Sequence, residues 1–278
     1  MKHFILRQLN PKYWFWALLP FFVILAIGLF LVLFRGYYDK EVLQISCVDE
    51  DDTIDSIAND SNVVVIDDNA NCSKGIDMVF ILDRTSSMGN GINNLRGSIE
   101  YYANKVKEVS NGKYRFGLIS VHGDSDVPQY TLRLALAPSN ENDLSDALLT
   151  FGPSGGGGSP EPTDNALEAI LENTIAYGPF LDSRNKIIVV ITDATPSGGD
   201  DAYVPGIDDV RADALAKKAR SQNIRIFALN TGEGVVNESV VSIMKNYAFT
   251  TYGQYAESWS GEVASEIIRA LDELCVRD

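Results

Sequence analysis

Beyond residue 75 the chain alternates short, unbroken apolar runs with longer segments in which apolar residues recur at three- and four-residue steps. The run Ile76-Asp77-Met78-Val79-Phe80-Ile81-Leu82 is almost continuously apolar and partly β-branched, as a strand buried on both faces requires. Ile92, Leu95, Ile99, Tyr102, Ala103, Val106 and Val109 then mark a helix that Gly112 closes. The pattern goes on to predict strands over 114–121 and 130–137, a short helix over 143–149 and a longer helix over 163–177. A buried strand over 186–192, a helix over 207–221 and a third buried strand over 225–229 follow. Helical periodicity returns over 237–247, a strand-like stretch covers 253–256, and a helix over 261–275 aligns Val263, Ile267, Leu271 and Leu274 on one face. Strands alternating with helices predict an α/β fold, a doubly wound, mainly parallel sheet flanked by helices. Ligands of such sheets lie at the carboxyl ends of the strands. The polar residues that terminate the strands are therefore the candidates for chemistry.

A different pattern occupies the start of the chain. Residues 13–35 hold a run of at least 18 apolar or near-apolar residues with no charge before Arg35, roughly 30 Å as a helix, the thickness of a bilayer's hydrocarbon layer. Tyr13, Trp14 and Trp16 at one end and Tyr37 and Tyr38 at the other are interfacial aromatics, so a transmembrane helix is expected. Lys2, Arg7 and Lys12 precede it without an acid, which keeps residues 1–12 in the cytoplasm and sends the rest of the chain outside. A cleaved signal peptide would want a shorter apolar run and small residues at a cleavage site. A lipid-modified Cys47 is the other alternative, although charges separate it from the apolar run. Residues 36–74, crowded with Asp and Glu and apolar only at Val63-Val64-Val65-Ile66, read as an acidic extracytoplasmic linker, and residues 75–278 as the folded domain.

The net charge of −15 argues against nucleic acid as a partner, since counterion release needs clustered Lys and Arg. The same surface is compatible with cations. Of the three cysteines, Cys72 immediately precedes the first strand and Cys275 lies in the last helix. A Cys72–Cys275 disulfide would clasp the domain if its ends meet, as domain termini often do; a Cys47–Cys72 bridge is the alternative. Asn59, Asn71 and Asn237 stand in glycosylation sequons.

Chemistry concentrates where the strands end. The first buried strand runs into Asp83-Arg84-Thr85-Ser86-Ser87-Met88-Gly89, a carboxylate and two hydroxyls at alternate positions of one loop. The second ends in Thr192-Asp193-Ala194-Thr195-Pro196, bringing another carboxylate to the same edge. Between them, Gly155-Gly156-Gly157-Gly158-Ser159-Pro160-Glu161-Pro162-Thr163 leads into a helix. Hard cations such as Mg²⁺ take about six oxygen ligands and tolerate retained water, which short Asp, Ser and Thr side chains supply.

This arrangement resembles the von Willebrand factor A domain with its metal-ion-dependent adhesion site. Asp83-Arg84-Thr85-Ser86-Ser87 is similar to the family's Asp-x-Ser-x-Ser, with Thr keeping the hydroxyl of the first Ser. Thr163, ahead of Ala166-Leu167, matches the family's distant Thr, and Asp193 its distant Asp. The likeness spans about residues 75–275. The glycine-rich stretch with Pro160-Glu161 looks most like the integrin β branch, in which that Glu is also a ligand; the acids that hold a neighbouring Ca²⁺ there are replaced by Gly89 and Asn90. The resemblance implies a divalent cation, Mg²⁺ first with Mn²⁺ or Ca²⁺ possible, held by Asp83, Thr85, Ser87, Thr163, Asp193 and provisionally Glu161. An open coordination position would accept a carboxylate from a partner protein, for adhesion or protein–protein interaction.

Plainer roles exist for each residue. Asp83 and its neighbours suit a helix N-cap, and a loop Glu161 is commonly just solvated. His122-Gly123-Asp124-Ser125-Asp126 reads as a turn before a second cation loop, and Ser197 to Asp201 with Asp208-Asp209 as turn and helix-start chemistry. The glycine run is either a linker or a phosphate cradle, but without Gly-Lys-Ser/Thr no nucleotide is expected. Nothing points to an enzyme: only His3 and His122 occur, no zinc-protease motif or nucleophile elbow is present, and Asp83-x-Thr85 lacks the second Asp of aspartyl phosphotransferases. The remaining alternatives are an assembly or chaperone-like partner of an energy-dependent machine, or a structural domain with no functional metal.

Overall fold

A computed structural model describes residues 72–275, apart from 124–127, 151, 156–159, 183, 199–201 and 261. The apolar runs become strands: β1 (Ile76–Asp83), β2 (Tyr114–Val121), β3 (Tyr130–Pro138), β4 (Asn185–Thr192), β5 (Ile224–Thr231) and β6 (Tyr255–Ser258). They form one sheet in the order β3-β2-β1-β4-β5-β6, parallel except for the antiparallel β2–β3 pair. The strand order reverses at β1, with β2 on one side of it and β4 on the other. The carboxyl ends of β1 and β4 therefore frame the crevice in which doubly wound sheets bind ligands.

Alternation along the strands divides the core in two. Met78, Phe80 and Leu82 face one layer, with Phe116, Val189 and Phe227, and are covered by α1 (Gly89–Gly97), α2 (Ile99–Val109), α3 (Glu141–Leu149) and α7 (Val263–Cys275). Val79 and Ile81 face the other, with Ile119, Ile188 and Val190, under α4 (Thr163–Leu171), α5 (Asp208–Ser221) and α6 (Glu238–Thr250). Burial on both faces explains why β1 carries no polar alternation. Of its two carboxylates, Asp77 is fully buried and engaged by Arg115, Arg184 and the Leu181 N–H, at the opposite end of the strand from Asp83.

Two helices depart from the periodicity. The helix predicted from Ile92 to Val109 breaks at Ser98, leaving α1 and α2 separate, because a Gly97-Ser98 pair bends a helix readily. The helix predicted over 163–177 ends at Leu171, where Asn173 takes a left-handed φ of 54° and the Asn173 and Thr174 N–H groups close back on the Ile170 and Ala169 carbonyls.

Cys72 and Cys275 form a disulfide across a sequence separation of 203. Cys72 lies buried in a 3₁₀ turn, Cys72–Lys74, so the folded unit takes in residues that the charge pattern assigned to the linker. The expected transmembrane helix at 13–35, the cytoplasmic segment 1–12 and most of the linker lie outside the described residues. Among those described, no helix is long and apolar enough to cross a membrane.

Candidate metal centre

Asp83 is the last residue of β1 and is wholly buried. Its Oδ1 accepts the Thr85 N–H at 2.8 Å and the Thr85 hydroxyl at 2.7 Å, an Asx turn rather than a helix cap. Its Oδ2 accepts the Thr192 hydroxyl at 2.9 Å. The sheet register dictates this last contact, since Leu82 pairs with Ile191 and the next step sets Asp83 beside Thr192. Ser87 donates to Asp193 Oδ1 at 3.2 Å, and Thr85 Oγ1 and Ser87 Oγ stand 3.1 Å apart. Asp83, Thr85, Ser87 and Asp193 are thus one connected group at the β1/β4 switch point.

The protons of this group have defined destinations. Thr85 gives its hydroxyl proton to Asp83 and Ser87 gives its own to Asp193. Thr85 Oγ1 and Ser87 Oγ also stand within hydrogen-bond distance of each other at 3.1 Å, where either hydroxyl can donate. Burial is the main cause that pushes the Asp83 carboxyl up to about 6, and the Asp193 charge adds to it against the hydrogen bonds from Thr85 and Thr192.

The other two predicted ligands arrive through the main chain. Glu161 is buried, donates its N–H to the Thr195 carbonyl at 2.8 Å and forms a β-bridge with Pro196, which ties the loop before α4 to the segment that follows Asp193. Thr163, also buried, opens α4. The near end of the glycine run is fixed as well: Gly155 turns with φ 73° and its carbonyl accepts both the N–H and the hydroxyl of Ser86. No group of three or more His, Cys, Asp or Glu capable of holding a metal occurs among the described residues; the donors gathered here are chiefly hydroxyls with two carboxylates.

Several supporting residues had no signal in the sequence. Thr192 is one. Asp164 is another: it is buried beside Thr163, accepts the Gly198 N–H at 3.1 Å and pairs with Arg211, and its carboxyl is raised by burial against the opposing pull of that guanidinium. A third is Gly234, in the 3₁₀ turn Gly232–Val236 after β5, where a Cβ would stand 2.7 Å from both Cα and the carbonyl oxygen of Asp193 and collide with Asn230 Oδ1. His122 is buried rather than displayed, its Nε2 near the hydroxyls of Ser120 and Thr131; Asp124 and Asp126 lie outside the described residues.

Residues 77–262 match the von Willebrand factor type A domain family. The chain belongs to that family. No curated protein matches the chain by sequence. Among solved structures, this VWA domain is similar to proximal thread matrix protein 1 from the mussel byssus, at TM-score 0.53 and 18% identity over 74% of this chain and 48% of that one. It is also similar to the pilus adhesin SpaC of Lactobacillus rhamnosus GG in an open conformation, at TM-score 0.50 and 15% identity over 70% of this chain and 30% of the adhesin. The chain therefore spans about half the length of the first and less than a third of the second. At these identities the likeness is one of fold, and it agrees with the sheet order and the flanking helices.

Proposed function

We propose that the VWA domain binds a divalent cation through Asp83, Thr85, Ser87, Thr163 and Asp193, with Glu161 as a further ligand, and uses it to hold a carboxylate of a partner protein. The observation that carries this reading is the spacing of the oxygens. Ligands on adjacent vertices of an octahedron with metal–oxygen distances of about 2.1 Å are about 3 Å apart. Thr85 Oγ1 to Ser87 Oγ and Ser87 Oγ to Asp193 Oδ1, at 3.1 and 3.2 Å, already have that separation. Among hard cations that such short oxygen donors hold, Mg²⁺ is the first choice, with Mn²⁺ or Ca²⁺ as the alternatives. The donor set fits in charge too, because a cation would relieve the repulsion between Asp83 and Asp193.

The role in this reading is binding without turnover. One structural neighbour is a pilus adhesin, in keeping with an adhesive use. We place the domain outside the cytoplasm, tethered by a transmembrane helix at 13–35; the Cys72–Cys275 disulfide supports this, because such bonds persist in oxidising compartments. Neither nucleic acid nor nucleotide is a ligand in this reading.

Thermal unfolding of the chelator-treated chain tests it. Mg²⁺ at about a hundred times its dissociation constant should add ~2.7 kcal/mol, a rise in Tm of roughly 5–10 °C for a domain of this size. Asp83→Ala should abolish the rise. No shift in the native chain, or the same shift in Asp83→Ala, would sink the proposal.

A further inference from the structure

The carboxyl edge of the sheet carries more than the group around Asp83. Strands β4, β5 and β6 run parallel to β1, so the segments that follow them emerge on the same edge, side by side in that order. Half of the large apolar side chains exposed among the described residues lie on those segments: Val204, Ile207 and Val210 after β4, Val236 after β5 and Trp259 after β6. Ile207, Val210, Val236 and Trp259 are each more than 60% exposed. Val204, Ile207 and Val210 follow at three-residue steps through the turn that opens α5, with Ile207 N–H donating to the Val204 carbonyl and Arg211 N–H to that of Ile207, so they share one side.

The charge around these residues has one sign. From Asp193 to Val210, from Thr231 to Met244 and from Ser258 to Ile268 the sequence contains no Lys or Arg, while Asp209, Glu238 and Glu262 stand among the apolar residues. The first base beyond each segment is already engaged: Arg211 by Asp164 and Glu168, Lys245 over the Tyr255 ring, and Arg269 by Glu266 and Glu273. These three segments therefore offer apolar anchor points among acids, with Arg84 after β1 as the opposite charge on the same edge. A bare acidic partner would be repelled before its carboxylate reached the site.

We infer that this edge docks a protein segment that surrounds an apolar anchor with Lys or Arg side chains and carries its metal-directed carboxylate within that basic setting. The inference names the partner class for the site proposed above and rests on that reading for the carboxylate; the apolar, acidic surface itself needs no cation. The opposite charges speed and steer the encounter, and burial of anchors beside Trp259 and Ile207 supplies most of the affinity.

Selection of a random peptide library against the full chain in zwitterionic nanodiscs, with empty nanodiscs as reference, tests it in Mg²⁺ and in EDTA. The enriched peptides should combine Lys or Arg with aromatic or large aliphatic residues. Their binding should weaken about tenfold or more in Ile207→Ser/Trp259→Ser, weaken with added salt, and stay unchanged in Leu149→Ser, whose exposed side chain lies at the end of α3. Enrichment of acidic or purely polar peptides, affinities indifferent to Ile207→Ser/Trp259→Ser, or no enrichment at all would overturn the inference. Basic, apolar peptides that bind equally in EDTA would uphold the docking surface while removing the cation from it. Peptides that need Mg²⁺ but ignore the apolar residues would do the reverse.

Discussion

At the scale of single residues, the protonation of Asp83 links the group to pH. Asp83 is buried within the field of Asp193, and its folded-state pKa of about 6 lies above the ordinary 3.8. The folded chain therefore holds this proton more tightly than the unfolded one. The resulting stabilisation is complete below about pH 4 and is lost as pH rises through 6. Cation binding has the opposite sign, since it needs the carboxylate. At pH 5 only about a tenth of Asp83 is ionised, so Mg²⁺ should bind about tenfold more weakly than at pH 7.5, a difference of ~1.4 kcal/mol. Calorimetric melting at both pH values checks this: the Mg²⁺-induced rise in Tm should be smaller at pH 5. An equal rise at both would mean that Asp83 is not in the coordination sphere.

At the scale of elements, what was legible in the sequence was whatever repeats locally. The unbroken apolar runs of β1, β4 and β5 could only be strands covered on both faces, and they were found at almost their true limits. Asp83 and Asp193 were readable because each terminates such a run. Thr192, Gly234 and the Asp164–Arg211 pair were not, because their partners stand on other elements and only the sheet register brings them together; Thr192 and Asp83 are separated by 109 positions. The helix ends were misjudged for a related reason. Apolar spacing continues past Leu171 to Ile175, but Asn173 stops the helix through its left-handed backbone, as Asn111 and Asn223 do after α2 and α5. Asn tolerates that conformation better than other residues with a Cβ. Asn173→Ala should therefore cost about 1 kcal/mol in chemical denaturation, and Asn173→Gly should be neutral or slightly stabilising. Equal losses in both variants would show that the Asn side chain, not its backbone, matters there.

At the scale of the whole molecule, the disulfide joins the turn before the central strand to the last turn of α7. Cys72 sits within the same apolar layer as Val263, Ile267 and Leu271 of that helix. The bond therefore pins α7 at its far end while packing holds its length. Cross-linking across 203 residues removes much of the freedom of the unfolded chain, and loss of such a bond costs roughly 2–5 kcal/mol. Cys72→Ser/Cys275→Ser should accordingly melt at least about 5 °C lower. Cys47→Ser, by contrast, should leave the melting temperature unchanged, because the Cys47–Cys72 alternative is excluded once Cys72 is bonded to Cys275. The proposed metal centre lies at the carboxyl edge of the sheet, away from the N-terminal ends of the strands, so an Mg²⁺-induced rise in Tm should survive in Cys72→Ser/Cys275→Ser on the lowered baseline. Loss of that rise would show that the position of α7 governs the loops around Asp83, an outcome that Ala264 makes specific: its N–H is bound by Asn94 of α1, the helix that the Asp83–Ser87 loop enters.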